Sequence, residues 1–318
     1  MMINTVMGPL DSALLGQTLM HEHICCADWS MRMCFGSQFF DFDTVVDAAT
    51  VMFKKMNRDC GVATVVDGTP TNLGRDVRLI REVARRTGIN FIVSSGFYYQ
   101  EEPGLAARPV EELADLLLGE CQSGISGTDI LPSIMKAAVE TGGVTPYVRK
   151  ILTAVGRVAA AADLPVFCHH NPRQRNGAEI LDIFESQGVA PGRIILGHSG
   201  DTDDLIYLQE MLERGCYLGM DRFGYCDMTL SLEKRVATIA ALCEKGYGDR
   251  LLLSYDLGVY LAMFGSWDDF CNTDPEKRSP DFTFIHTNVA PALQNAGVTQ
   301  ETFEAMMTRN PRNFFEGK

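Results

Sequence analysis

Candidate metal ligands stand at the ends of apolar segments in this sequence. His21 and His23 lie two positions apart, and alternate side chains of a strand share a face, so both rings would point to one side. Glu22 between them would point away. Three more candidates each end a later apolar segment: His169, His198 and Asp256. Neutral imidazoles and a carboxylate suit zinc and similar divalent ions, so the joint pattern indicates a metal site, although an HxH pair alone would not.

Short apolar segments alternate with longer amphipathic ones along the whole chain. Continuous apolar runs of this length are typical of strands buried on both faces of a parallel sheet. We predict strands at 17–23, 62–68, 90–96, 131–137, 165–170, 193–199, 216–221 and 250–256. Of the helical stretches between them, DTVVDAATVMFKKMNRDC begins with a capping Asp43 and GRDVRLIREVARRTG ends on Gly88.

Eight strand-plus-helix units predict an α/β fold, a single (β/α)8 TIM barrel over residues 1–318. An open doubly wound sheet is the alternative, but no GxGxxG motif follows the first strand. The candidate ligands would then lie at the C-terminal ends of strands one, five, six and eight. Active sites of TIM barrels lie at this end, which favours a metal centre there.

Two connections at the same end of the predicted barrel are long, at about 24–42 and 257–283. Long connections in compact domains are typically binding loops or lids. Both are rich in apolar side chains, which predict either an apolar rim around the site or a contact between subunits: Trp29, Phe35, Phe39, Phe40, Met263, Phe264, Trp267 and Phe270.

Composition excludes several classes of protein. The chain has 28 basic and 41 acidic residues, a formal net charge of −13, and no basic block, which argues against nucleic acid or an anionic membrane as partner. No apolar run approaches the ~18 residues of a membrane span. The first residues have neither the basic nor the apolar part of a secretion signal, and the ten cysteines are scattered without a CxxC pair. We therefore expect a cytoplasmic protein with reduced thiols and a small-molecule substrate.

Seven stretches of the chain, from about residue 8 to 315, resemble the phosphotriesterase family of the amidohydrolase superfamily, in its lactonase-like branch. They are GQTLMHEH, GTDILPSIMKAAVETGGVTP, LPVFCHH, IILGHSGDTDDL, YLGMDRFG, RLLLSYD and RNPRNFF. The resemblance implies a binuclear metal centre, with zinc as the expected metal and manganese, cobalt or iron as alternatives. It also matches Lys136, in IMKAA, to a lysine that reacts with carbon dioxide and bridges the two ions as a carbamate. A buried lysine facing cations loses its proton readily, as that reaction requires.

The resemblance assigns roles to the other candidates. His21, His23 and Asp256 would hold the more buried ion, whereas His169 and His198 would hold the more exposed one. A hydroxide shared by the ions would attack the substrate, and Asp256 would take up the proton.

One position departs from the organophosphate-degrading members of the family. Those members carry a proton-relaying histidine where this chain has Arg222, and in having Arg222 there the chain is similar to lactonase-like members. Asp201 stands where the family's relay carboxylate lies. We expect these two to pair. Tyr98 matches a tyrosine that lactonase-like members hold over the exposed metal. These matches predict a hydrolase of lactones or carboxylic esters with weak phosphotriesterase activity.

Other functions stay open at this point. An N-acyl amide hydrolase or a true phosphotriesterase would use the same centre. A TatD-type nuclease shares the barrel and the HxH pair, but the acidic charge and Lys136 count against it. A complete ligand set argues against a catalytically silent binding protein. Lactonase-like relatives pair through loops at this end of the barrel, so we expect a homodimer.

Overall fold

A computed structural model describes residues 1–223, 229–262 and 281–318 of the chain. It begins with an antiparallel hairpin of β1 (Met2–Thr5) and β2 (Gly8–Asp11), which the sequence did not predict. The strands that follow are β3 (Gln17–Cys26), β4 (Val62–Asp67), β5 (Asn90–Gly96), β6 (Ile134–Ala138), β7 (Val166–His169), β8 (Ile194–Gly197), β9 (Tyr217–Met220), β10 (Leu251–Leu253) and β11 (Gly258–Leu261). Each pairs in parallel with the next in one sheet from β3 to β10, with β11 on the free side of β3.

The sheet closes on itself through a divided last strand. β10 pairs with β9, whereas β11 pairs with β3, with Gly258 opposite His23. Between the two pieces, the Asp256 N–H donates to the His21 carbonyl at 3.0 Å and the His23 N–H donates to the Leu257 carbonyl at 2.8 Å. These bonds join the first and last strand positions, so the predicted α/β barrel is confirmed.

The helices lie around the sheet and alternate with its strands. They are α1 (Trp29–Phe35), α2 (Phe42–Cys60), α3 (Val77–Thr87), α4 (Pro103–Ala106), α5 (Val110–Ser123), α6 (Pro146–Ala162), α7 (Gly177–Ser186), α8 (Leu205–Glu213), α9 (Leu232–Glu244), α10 (Ala290–Asn295), α11 (Gln300–Met307) and α12 (Arg309–Glu316). No helix in the described ranges is long and apolar enough to cross a membrane.

Capping residues set the ends of these helices. Gly88, with φ of 75°, ends α3 as the sequence indicated. The predicted start of α2 is two residues late, because the capping carboxylate is that of Asp41 and not that of Asp43. Asp41 Oδ1 accepts a hydrogen bond from the Thr44 N–H at 2.8 Å.

Side chains from all eight strand positions fill the interior of the barrel at its N-terminal end. Each strand from β3 to β10 contributes one residue: Met20, Val66, Ile92, Ile134, Phe167, Ile195, Tyr217 and Leu252. The hairpin, the turn that follows it and the C-terminal helix α12 cover this layer with Ile3, Leu15, Phe314 and Phe315, all at most 2% exposed. The N-terminal end is therefore a dry apolar core, which leaves the C-terminal end for polar groups.

Both segments predicted as long loops contain regular structure. The 24–42 segment starts inside β3, which runs on to Cys26 because β11 pairs with it there. It then forms α1, where Trp29 is 39% and Phe35 52% exposed. The 257–283 segment begins with β11, and residues 263–280, with Met263, Phe264, Trp267 and Phe270, lie outside the described residues.

Two neighbouring leucines test the apolar layer at the N-terminal end of the barrel, with the residues that cover it, which we call the apolar plug. Leu15 is 1% exposed within the plug, whereas Leu14 is 65% exposed. We expect Leu15→Ala to lower the free energy of unfolding by about 2–5 kcal/mol, because it removes buried methyl groups and leaves a cavity. Leu14→Ala should change it by no more than about 0.5 kcal/mol. Urea unfolding followed by circular dichroism measures both, and equal effects would contradict the described plug.

Candidate metal centre

Imidazole rings and a carboxylate converge inside the C-terminal end of the barrel. His21, His198 and Asp256 each present a ligand atom, and these atoms all lie within 4.8 Å of one another. His23 Nε2 lies 3.1 Å from Asp256 Oδ1. On the other side, His169 Nδ1 lies 2.7 Å from His198 Nε2. All four rings are buried, so the structure brings the five candidate ligands from four strand positions of the barrel into one water-poor cluster.

The carboxylate of Asp221, just after β9, orients two of these histidines. Its Oδ2 lies 3.0 Å from His21 Nδ1, and its Oδ1 lies 2.8 Å from His198 Nδ1. Asp221 is fully buried, and burial followed by the charge of Asp256 raises the pKa of its carboxyl, which Arg222 opposes. Because Asp221 engages Nδ1 of both rings, Nε2 of each ring is directed toward the centre of the cluster.

The other two histidines are fixed in the same manner. His23 Nδ1 lies 2.8 Å from Thr69 Oγ1, which leaves Nε2 facing inward. His169 makes its outer bond through Nε2, 2.7 Å from Glu140 Oε2, so Nδ1 faces inward. That hydrogen bond holds the pKa of Glu140 down at about 2. The Asn171 amide donates to Glu140 Oε1 at 3.0 Å and holds the carboxylate in place.

Lys136 lies on β6 at the floor of the cluster. Its side chain is 1% exposed, and Nζ lies 4.2 Å above the Phe167 ring and 2.6 Å from His21 Nε2. Burial lowers the pKa of Lys136 to about 8, so the neutral amine is a minor but readily reached form near neutral pH. Gly96, with φ of 137°, keeps the space beside the lysine backbone open, since a Cβ there would lie 1.9 Å from the Lys136 carbonyl oxygen.

Backbone strain is concentrated at this cluster. His198, Arg222 and Asp256 have φ values of 61°, 64° and 57°, in the left-handed region that favours glycine. Each such residue costs roughly 1–2 kcal/mol. Each follows a strand, and the left-handed turn aims the side chain back across the end of the barrel. Such strain persists only where surrounding contacts impose it, and functional sites are where it clusters.

Arg222 joins two carboxylates at the edge of the cluster. Its Nε donates to Asp256 Oδ2 at 3.0 Å, and its Nη1 donates to Asp201 Oδ2 at 2.8 Å. The pair of Arg222 with Asp201 that the sequence led us to expect is present. Arg235, 1% exposed on α9, bonds the other oxygen of Asp201 and also donates to the Asp221 carbonyl at 2.7 Å. Asp201 therefore lies between two guanidinium groups.

Tyr98 lies against His169 at the edge of the cluster. Its hydroxyl lies 3.3 Å from His169 Nδ1, and its side chain packs with Cys26, Leu73 and Ala138 in a small apolar group. Burial raises the pKa of Tyr98 well above its ordinary value, so the phenol keeps its proton. The cluster thus has a hydroxyl donor with an apolar wall beside His169 and an arginine beside Asp256.

The residues present fit a pair of divalent cations. Each of the four histidines gives one ring nitrogen to an acceptor or hydroxyl outside the cluster and aims the other inward. The inward His169 and His198 nitrogens lie only 2.7 Å apart, an arrangement of lone pairs that a shared or adjacent cation would stabilise. Three of these donors, His21, His198 and Asp256, lie close enough together to hold one ion, and Lys136 Nζ lies 2.6 Å from His21 Nε2.

Sequence reasoning did not assign roles to several groups that support the ligands: Thr69, Glu140, Asp221 and Arg235. Asp221 could have been suspected, because it ends a predicted strand and precedes Arg222. Glu140 offers a weaker signal, four residues after Lys136. Thr69 and Arg235 carry none, because their contacts depend on how distant segments meet.

Comparison with known proteins agrees with this geometry. The sequence profile of the Phosphotriesterase family matches residues 1–315. The chain belongs to the phosphotriesterase family. Members of this family are metal-dependent enzymes, in keeping with the His, His and Asp cluster.

Relatives of the phosphotriesterase family align with this chain over nearly its full length. A phosphotriesterase homology protein of Mycobacterium tuberculosis is 33% identical, covering 99% of this chain and 97% of its own. An aryldialkylphosphatase of Saccharolobus solfataricus is 31% identical over 96% of each chain. An N-acetyltaurine hydrolase of the rat is 26% identical, covering 99% of this chain and 98% of its own.

The bonds of Asp221 predict a loss of metal affinity in the Asp221→Asn variant of this phosphotriesterase-family protein. Asparagine offers one acceptor oxygen, and its amide group would face the N–H of the second ring and turn that ring away. We expect metal affinity, measured by competition with a chromogenic chelator, to fall about 10–100-fold. Asp203→Asn is the control, because Asp203 is exposed and bonds Lys234 on the surface. Unchanged affinity in Asp221→Asn would refute the orienting role.

Proposed function

We propose that this protein is a binuclear metal-dependent hydrolase of lactones and carboxylic esters, with weak phosphotriesterase activity. His21, His23 and Asp256 would hold one ion, His169 and His198 the other, and the carbamate of Lys136 would bridge them. We propose zinc for both positions. The ions supply an acidified water as nucleophile and polarise the oxygen of the scissile group.

Asp256 is placed to accept the proton released as water adds to the substrate. Its Oδ1 faces His23 at 3.1 Å and its Oδ2 accepts from Arg222 at 3.0 Å. Burial raises the pKa of Asp256, but His21, His198, His23 and Arg222 outweigh it and hold the pKa well below its ordinary value. The carboxylate is therefore ionised at the start of the reaction and able to act as base.

The observation that carries the ester assignment is the position of Arg222 between Asp256 and Asp201. A histidine in that place could pass a proton outward from Asp256, but an arginine stays charged and cannot. The proton on Asp256 must therefore return to the substrate. A lactone suits this arrangement, because its leaving alkoxide stays attached near the site and takes up a proton there.

Two donors of the chain would orient such a substrate. The Tyr98 hydroxyl, still protonated, can donate to the ring oxygen or the leaving oxygen. Arg222 uses Nε and Nη1 for its two carboxylates, and Nη2 bonds none of the described residues, so it can bind a polar substituent. The apolar group around Tyr98 would contact the acyl part.

A second candidate is hydrolysis of N-acyl amides. Relatives named N-acetyltaurine hydrolase, in rat and human, match this chain over 99% of its length at 26% and 24% identity. The same base and donors would serve an amide, whose leaving amine takes its proton from Asp256. The two candidates differ only in the group that leaves.

We also propose that the protein is a cytoplasmic homodimer. The exposed Trp29 and Phe35 of α1 would contribute apolar contact area at the C-terminal end of the barrel.

A side-by-side assay tests the assignment. We expect kcat/KM for the best lactone or carboxylic ester to exceed that for paraoxon at least about 100-fold, roughly 2.7 kcal/mol of transition-state binding. Arg222→His should narrow this ratio, because it harms the ester reaction more than the triester reaction. Arg149→His, which changes an exposed arginine paired with Glu179, is the control.

Triester turnover equal to the best ester would overturn the ester assignment. A panel of N-acyl amino acids and N-acyltaurines belongs in the same assay, and dominant amide cleavage would replace the first candidate with the second.

A further inference from the structure

The break in the last barrel strand leaves backbone amides without the partners that a continuous strand would have. β10 ends at Leu253 and β11 begins at Gly258, and residues 254–257 pass between them. Ser254 and Tyr255 are buried and Asp256 and Leu257 are half-buried against β3, where an amide without an acceptor costs free energy. The Asp256 N–H is satisfied by the His21 carbonyl at 3.0 Å. The amides on either side of Asp256 require other acceptors.

The Glu22 side chain supplies both of them. Its Oε1 accepts from the Tyr255 N–H at 2.8 Å, and its Oε2 accepts from the Leu257 N–H at 2.9 Å. Glu22 is fully buried, in the middle of the HxH pair. One carboxylate thus bonds the residues directly before and after Asp256.

This two-point attachment coincides with the strained backbone. Asp256 has φ of 57°, which a non-glycine residue adopts only under constraint. Fixing the amides at 255 and 257 to one rigid group on β3 leaves the peptide between them little freedom. The left-handed turn at Asp256 then directs its carboxylate toward His23 and Arg222 instead of along the strand.

We propose that Glu22 is a positioning residue for the reaction: its carboxylate clamps Tyr255 and Leu257 so that Asp256 is held in its ligand and base orientation. This inference rests on the proposed function for the role of Asp256, but the clamp itself is a property of the chain without metal. The HxH motif would then position three ligands: His21 and His23 directly, and Asp256 through the carboxylate of Glu22.

The chemistry of the clamp requires a carboxylate of this length. Burial raises the pKa of Glu22 well above its ordinary value, and the two backbone N–H donors offset only part of that rise. Both oxygens act as acceptors, which suits the ionised form. Glutamine keeps the length but offers one acceptor, and its amide N–H would meet a backbone N–H. The Glu22→Gln variant therefore changes the clamp while preserving side-chain volume.

Hydrogen exchange of the metal-free protein tests the clamp directly. In the wild type we expect the amides of residues 255 and 257 to exchange as slowly as those of β10. In Glu22→Gln they should exchange at least tenfold faster, while β5 and β6 stay unchanged. The matched control is Glu316→Gln at the other end of the barrel, where Glu316 accepts from Ser12 and Arg312. Wild-type amides at 255 and 257 that exchange as fast as an exposed loop would overturn the proposal even if no variant folds.

Metal affinity, measured by chelator competition, distinguishes positioning from general stability. We expect Glu22→Gln to lower affinity at least about tenfold, as removal of a supporting group around a ligand does, and Glu316→Gln to leave it unchanged. In a double-mutant cycle, Glu22→Gln should lower metal affinity little further in the Asp256→Asn background, because Glu22 acts through Asp256.

Full additivity in this cycle, or unchanged affinity in Glu22→Gln, would overturn the positioning role. Failure of every ester, amide and triester substrate would overturn the proposed function alone, since neither exchange nor chelator competition depends on turnover.

Discussion

The burial of many ionisable groups at one end of the barrel is the constraint on which the site depends. A buried charge is unfavourable unless it is paired and hydrogen-bonded. Asp221 meets this condition through His21 and His198, and Asp256 meets it through His23 and Arg222. Each pair joins strands that are distant in sequence. The cluster therefore exists only when the barrel is closed, and it in turn ties the closing strands together.

The N-terminal end of the barrel contributes packing, whereas the C-terminal end holds the charged groups of the site. The N-terminal end is filled by apolar side chains from every strand and covered by the hairpin and α12. The C-terminal end contains left-handed residues and charges, which are costly to hold. A packed core at one end allows that strain to persist at the other, as is general for this fold.

Much of the fold could be predicted because each strand carries its own signal. The eight apolar runs matched the strands from β3 to β10 within a few residues. The hairpin of β1 and β2 was missed, since strands of four residues at a terminus show no clear periodicity. β11 was missed because GVYL follows a break in the last strand, where the backbone amides bond Glu22, more than 230 residues away in the sequence.

The site could be predicted in part for the same reason. His21, His23, His169, His198 and Asp256 stand at strand ends, so their convergence follows from a closed barrel. The Lys136 assignment came from family resemblance, and spacing alone would have suggested an ordinary buried lysine. Glu140 gave only a weak signal, and Thr69 and Arg235 were beyond sequence reasoning, because a group that orients a ligand is recognisable only once its partner's position is known.

The central claim is that the buried cluster around Lys136 holds a pair of metal ions bridged by a carbamate. Elemental analysis of protein equilibrated with zinc and ¹³C-bicarbonate, combined with ¹³C NMR of the same sample, tests it most directly. The account predicts about two zinc ions per chain and a labelled carbamate carbon. That carbon should be absent from Lys136→Ala and present in a control, Lys234→Ala, which changes an exposed lysine. Less than one ion per chain, or metal-replete protein without the labelled carbon, would contradict the account.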